Sequence, residues 1–116
     1  MINKELFDKI GGFEKELFMY MEDMELCFKA KINGFSTYFY PGVSIIHKER
    51  GSGNRTFAIL NIYKGILFFY KKYKPGREYN IARKMLFAKA FLLKNTGKAI
   101  NNKFLTSTYG QALELF

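Results

Sequence analysis

The spacing of apolar residues changes character three times along the chain. Residues 1–10 (MINKELFDKI) are short and mixed, and read as a short helix or turn feeding Gly11-Gly12. Paired glycines let a backbone turn tightly or pass close to a ligand. Over residues 22–33 the period is helical, with Met24, Cys27 and Phe28 on one face at i, i+3 and i+4. Cys27 reads as a small core residue. Glu25 and Lys29 form an i, i+4 pair in the favourable order, expected on the solvent side, and Gly34 stands where the helix should stop. The pattern then turns aromatic and β-branched. Phe35–Tyr40 (FSTYFY) reads as a strand, Pro41-Gly42 as a turn, and Val43–His47 (VSIIH) as a second strand with Ile45 and Ile46 on opposite sides.

Lys48–Arg55 (KERGSGNR) is a loop of three bases and two glycines. Beyond it the helical period returns. Ile59, Ile62, Tyr63, Ile66, Phe69 and Tyr70 make a broad stripe within Phe57–Tyr73. Lys71, Lys72 and Lys74 end that helix before Pro75-Gly76, and cations suit a helix C-terminus. Tyr79–Lys94 gives another helix, with Ile81, Met85, Ala88 and Leu92 along one face and Leu86, Phe87, Phe91 and Leu93 widening it. Residues 98–116 are less patterned, and a short helix or fraying tail is expected there.

Composition narrows the class. A chain of 116 residues is long enough for about one domain, and 48% hydrophobic residues argue against disorder. The net charge of +9 is unevenly spread. Residues 1–25 carry seven acids against three lysines, whereas residues 26–116 carry 16 bases and three acids. The basic part implies an anionic partner such as phosphate, nucleic acid or anionic lipid. Cys27 is the single cysteine, so no internal disulfide and no cysteine-based zinc site can form. Lys4, Glu5, Asp8 and Lys9 leave no apolar h-region for a secretory leader, and no uncharged run approaches the ~18 residues of a membrane span.

Two features carry candidate chemistry. Glu22 and Asp23 open the first long helix. They complement the helix dipole on one reading; on the other, Asp23 is a general base that removes a proton from an attacking hydroxyl. Neighbouring carboxylates do not point together, so only one faces a reacting centre. His47, the lone histidine, comes at the end of the second expected strand, where α/β folds gather active-site groups. As a metal ligand it needs oxygen partners, and the chain offers no evident set of them. The loop bearing Arg50, Ser52 and Arg55 has the backbone and cations of a phosphate grip, although solvated loops share that composition.

The run from Gly11 through Phe13, Leu17-Phe18-Met19-Tyr20-Met21, Glu22-Asp23, Glu25 and Cys27 resembles the C-terminal half of the catalytic domain of family 2 glycosyltransferases, in the rhamnosyltransferase-like, polysaccharide-building branch. Gly34, Tyr40, Pro41, Ile45-Ile46-His47 and the His47-to-Ser52 spacing continue the resemblance, which covers roughly residues 1–75. It implies an α/β fold, the C-terminal portion of a GT-A nucleotide-sugar domain over residues 1–56, followed by basic amphipathic helices over 57–116. It also implies inverting transfer of a sugar from a nucleoside diphosphate to an acceptor hydroxyl, in synthesis of a bacterial surface glycan. Asp23 matches the base and Glu22 its partner. Gly11, Gly12 and Phe13 match the loop shaping the acceptor and donor-sugar pocket. His47 matches a position that assists metal and diphosphate, and Arg50, Ser52 and Arg55 lie in the loop that closes over the diphosphate.

Glu14-Lys15 stands where the family favours Asp-Glu, and Glu25 where it favours Asp. The nucleotide-binding acid and the Asp-x-Asp metal motif of the family's N-terminal half have no counterpart in these residues. The resemblance therefore implies a partial enzyme. A divalent metal (Mg or Mn), a nucleoside-diphosphate sugar and a glycan or lipid-linked acceptor would belong to the complete protein, together with a complementary N-terminal half. The expected place is the cytoplasm, with peripheral attachment to an anionic inner membrane face as an option for the basic helices. The rival class is a non-enzymatic basic module for anionic membrane or nucleic acid. Nucleic acid is disfavoured, because the acids crowd the best-patterned third and no RNA- or DNA-binding motif is present.

Overall fold

In the computed structural model, residues 1–46 and 54–116 are described. The chain divides into two compact units, Met1–Ser52 and Gly53–Phe116. The described residues form five helices and no strand: α1 (Lys4–Lys9), α2 (Glu22–Ile32), α3 (Arg55–Tyr73), α4 (Arg77–Ala99) and α5 (Lys103–Leu113).

In the first unit, Asn3 caps α1 by accepting the Leu6 N–H at 3.1 Å. The helix ends as Gly11 turns left-handed at φ 80°, with the Gly11 N–H on the Asp8 carbonyl and the Gly12 N–H on the Phe7 carbonyl. That pairing satisfies the last carbonyls of a helix, so Gly11-Gly12 is first of all a helix stop. The segment from Gly34 ends α2 in the same way, through Gly34 N–H to Lys31 and Phe35 N–H to Ala30.

The expected α/β class is overturned. Phe35–Tyr40 and the described part of Val43–His47 contain no strand. Tyr38 is 85% exposed, Phe39 91% and Ile46 96%, so the alternation has no buried side. β-Propensity expresses how a residue packs on a pleated, half-buried surface. With no neighbouring strand among the described residues to take up backbone N–H and C=O groups, that preference has nothing to act through.

The faces of α2 are also the reverse of those expected. Met24 is 57% exposed and Cys27 is exposed, whereas Glu25 and Lys29 are buried. A polar pair occupies the inward side because it is electrostatically satisfied there, as described below.

The second unit packs α3, α4 and α5 around Tyr63, Ala90, Tyr109 and Ala112, with Ile59, Leu86, Leu93 and Leu105 against them. Ala90 and Ala112 are fully buried; small residues let helix axes approach. At Gly97, a Cβ would come within 2.7 Å of the Leu105 Cβ and 2.8 Å of the Thr106 backbone nitrogen, so the α4–α5 corner closes only on glycine. Asn101, left-handed at φ 53°, turns that corner, and the side chain of Asn102 caps α5 through the Leu105 N–H at 3.1 Å. The tail beyond Lys98 is thus an ordered helix rather than a frayed end. Thr56 and Thr108 share a hydroxyl hydrogen bond of 2.7 Å between α3 and α5.

Tyr63 meets Tyr109 and Phe116 edge to face. Its hydroxyl is buried with no hydrogen-bond partner among the described residues. Burial, followed by the neighbouring Tyr109, pushes its pKa up to about 12. A phenol with a raised folded-state pKa keeps its proton while the unfolded chain loses it, so it contributes a loss of stability beginning near its ordinary pKa of about 10 and growing as pH rises toward about 12. The variant Tyr63→Phe removes the orphan hydroxyl. It should be as stable as the parent or more so by about 1 kcal/mol at neutral pH, and should lose less stability between about pH 10 and pH 12. Urea unfolding followed by circular dichroism across that range checks both; a destabilised variant with an unchanged alkaline slope is the contrary result.

Candidate functional site

The candidate site lies within the first unit, where the loop after α1 meets the start of α2. Lys29 holds the two together. From the inward face of α2 its Nζ donates to the Gly12 carbonyl, lies 3.3 Å from Glu14 Oε1 and lies 3.4 Å from Glu25 Oε2. Glu25 is 0% exposed and Lys29 7%. Buried charges are tolerated when paired and hydrogen-bonded, and here one ammonium serves two carboxylates and a carbonyl. Aromatic contact reinforces the loop: the Phe13 ring stands edge-on to Phe7 at 5.5 Å, and Phe7 fills the space beside Gly12 where a Cβ would sit 3.0 Å from its ring. Gly12 is buried, while Gly11 and Phe13 are exposed.

The approach to α2 is strained. Tyr20 and Met21 are consecutive left-handed non-glycine residues, at φ 64° and 75°. Left-handed backbone costs an L-residue roughly 1–2 kcal/mol. Met21 also occupies the N-cap position without a capping side chain. This turn sets the direction in which the first two helical residues leave. Asp23 is exposed and its Oδ1 accepts the Met24 N–H at 2.8 Å, which satisfies one orphan donor of the helix start and fixes the carboxylate plane. Glu22 is half-buried, and its Oε2 is shielded from water with no hydrogen-bond partner among the described residues. The neighbouring acids therefore diverge, one toward solvent and one partly inward, as adjacent side chains on a helix must.

Among the sequence-predicted residues, Gly11, Gly12, Phe13, Glu22 and Asp23 all fall in this unit, and Lys29 ties Gly12 to the helix that bears the acids. His47, Arg50 and Ser52 lie outside the described residues. Arg55 is in the second unit, in the first turn of α3, with its guanidinium over the Phe104 ring at 5.0 Å. Among the described residues no group of three or more His, Cys, Asp and Glu side chains is placed to hold a metal ion. The expected divalent cation has no fitting donor set among them.

Sequence reasoning missed the role of Lys29. Its signal was present in the four-residue spacing from Glu25, but that spacing says only that the two side chains meet, not whether water surrounds them. Glu14 gave no signal, because its contact spans fifteen residues.

Over 55 residues, 47% of this chain, the sequence is 29% identical to the N-acetylglucosaminyl-diphospho-decaprenol L-rhamnosyltransferases of Mycobacterium tuberculosis strains CDC 1551 / Oshkosh and ATCC 25618 / H37Rv. The matched stretch spans 18% of those relatives' length. It indicates a glycosyltransferase relationship. No family model matches the chain, and no solved structure matches it.

The Lys29 cluster yields a direct stability test. The variant Lys29→Met leaves two carboxylates and a carbonyl without their buried cation. It should destabilise the first unit by about 3–5 kcal/mol, whereas Lys4→Met, at an exposed pair, should stay within about 0.5 kcal/mol. Denaturant titration read from the amide NMR signals of residues 1–46 measures both, and equal small effects would show that the cluster contributes little.

Proposed function

We propose that the chain contributes the acceptor-activating part of a glycosyltransferase, with Asp23 as the general base. The observation that carries this reading is the start of α2: a strained left-handed pair at Tyr20-Met21 presents an exposed carboxylate whose Oδ1 is engaged by the Met24 N–H. Its Oδ2 has no hydrogen-bond partner among the described residues. Unusual backbone at a candidate site is a reason to suspect function, because folds retain such strain where a side chain must be aimed. The partial likeness to the rhamnosyltransferases supports the reaction class.

In this reading Oδ2 of Asp23 takes the proton of an acceptor hydroxyl as its oxygen attacks the anomeric carbon. The nucleoside diphosphate leaves from the opposite side, so configuration inverts. Proton removal of this kind contributes roughly 10²–10⁴-fold. Glu22, whose Oε2 is shielded from water, is the structural partner of that base and takes no proton from the acceptor. Gly11, Gly12 and Phe13 form the wall of the acceptor pocket, with the Phe13 ring offering an apolar face to a sugar ring. Positive charge near the departing diphosphate lowers the barrier; Arg50 and Ser52, which the resemblance assigns to that task, lie outside the described residues, and Arg55, in the second unit over the Phe104 ring, is given no part in it. The acceptor is taken as a lipid-linked sugar, in line with the N-acetylglucosaminyl-diphospho-decaprenol in the name of the mycobacterial relatives.

The nucleotide-binding half of such an enzyme lies outside these residues in this reading. The isolated chain should therefore show no saturable micromolar binding of UDP- or dTDP-sugars with Mn²⁺ by calorimetry, and such binding would contradict the division of labour. With the substitution made in the gene at its own locus, Asp23→Asn should lower sugar incorporation into surface glycan by at least about 100-fold, while Asp8→Asn, in the exposed pair of α1, leaves it unchanged. Parental incorporation in Asp23→Asn cells removes Asp23 from the role of base.

A further inference from the structure

Helix α4 has two apolar faces, and the three-helix unit uses only one. Ala90 and Gly97 are buried on the inward side. On the opposite side Ile81, Met85, Ala88 and Leu92 recur at helical spacing and remain in solvent: Ile81 is 47% exposed, Met85 67% and Leu92 64%. This is the apolar face that the helical spacing picks out in the sequence, and the structure turns it outward.

Charge identifies what covers it. By helical periodicity Arg77 and Lys84 run along one border of the stripe and Lys89 along the other, where Glu78 joins it at the N-terminal end; all four are exposed. Residues 53–116 contain twelve bases and two carboxylates, Glu78 and Glu114, so no acid falls between positions 79 and 113. Protein interfaces are depleted in lysine at their cores and rely on complementary signs. An apolar stripe bordered mainly by cations, with Glu78 the one acid beside it, matches instead the boundary between acyl chains and anionic headgroups, where side chains such as lysine keep their charged ends in water while their stems lie along apolar surface. None of the described helices is long and apolar enough to cross a bilayer. A helix of this length, about 34 Å from 1.5 Å per residue, would lie in the interface plane.

We infer that the outward face of α4, centred on Met85 and Leu92, is a docking surface for an anionic phospholipid bilayer. The inference stands apart from the glycosyl-transfer reading, because the assay that tests it contains no sugar donor or acceptor. The test is sedimentation of the full chain with vesicles of phosphatidylcholine alone or with about one third phosphatidylglycerol, at low salt and at about 0.5 M salt. The parent chain should partition at least about tenfold more strongly to the anionic vesicles at low salt, and high salt should weaken it. Met85→Glu/Leu92→Glu should remove most of that binding with helix content by circular dichroism unchanged, since both positions are exposed. Lys84→Glu/Lys89→Glu should remove the salt-sensitive part, and Ile46→Glu, more exposed still but in the first unit, should bind like the parent. Equal partition to neutral and anionic vesicles overturns the inference, as does full binding by the Met85/Leu92 variant. So does a concentration-dependent dimer in sedimentation velocity that those substitutions dissociate, with no vesicle binding, because the face would then join two copies of the chain.

Discussion

The first unit depends on one ammonium group. Short helices such as α1 and α2 do not hold themselves together by propensity, and few apolar side chains in residues 1–46 are buried: Leu6, Leu17 and Ala30. Lys29 supplies what that sparse core does not. It spans from α2 to the Gly12 carbonyl and to Glu14, so that loop and helix are held in register by directional contacts in a water-poor setting. The same low dielectric that makes an isolated buried charge so costly strengthens each contact once the set is complete. The arrangement is therefore specific rather than merely sticky: removing any partner exposes the cost of the others.

That constraint bears on the candidate chemistry. The Gly11–Phe13 loop and the start of α2 carry the candidate residues of the first unit, and Lys29 connects their supports. Asp23 is oriented by its own helix, through the Met24 N–H, and by the left-handed turn before it. A base needs a defined direction and access to its substrate. Here the direction comes from backbone geometry and the access from exposure, so the burial that stabilises the unit and the carboxylate that would react stay on separate residues.

The second unit rests on a different principle. Its helices close on small residues, Ala90, Gly97 and Ala112, around the buried ring of Tyr63. Close approach concentrates dispersion contacts and leaves the larger side chains of α4 surplus to the core. That is why a helix rich in Ile, Met, Phe and Leu has apolar surface left over on its far side, bordered by lysines.

Local chemistry along the chain was sufficient to locate helices α2, α3 and α4, the basic end of α3, the Gly34 stop and the Pro75-Gly76 break, because those signals act within a few residues of one another; α4 nevertheless runs on through Asn95-Thr96-Gly97, where a stop is expected, to Ala99. The paired acids at Glu22-Asp23 were likewise visible as a helix start. What neighbours decided could not be read this way. The aromatic run Phe35–Tyr40 has strand propensity, but a strand exists only with a partner. The pairs Glu25–Lys29 and Ile81–Met85 have helical spacing, but spacing does not say which side of a helix meets water. Burial is a property of what packs against a residue, and contacts such as Lys29 to Gly12, or α4 to α5 at Gly97, are made between segments whose separation carries no periodic trace. The sequence by itself determined where the chain coils and where it stops coiling; only the tertiary structure decided which faces are inside, since that choice belongs to the free energy of the whole packed unit.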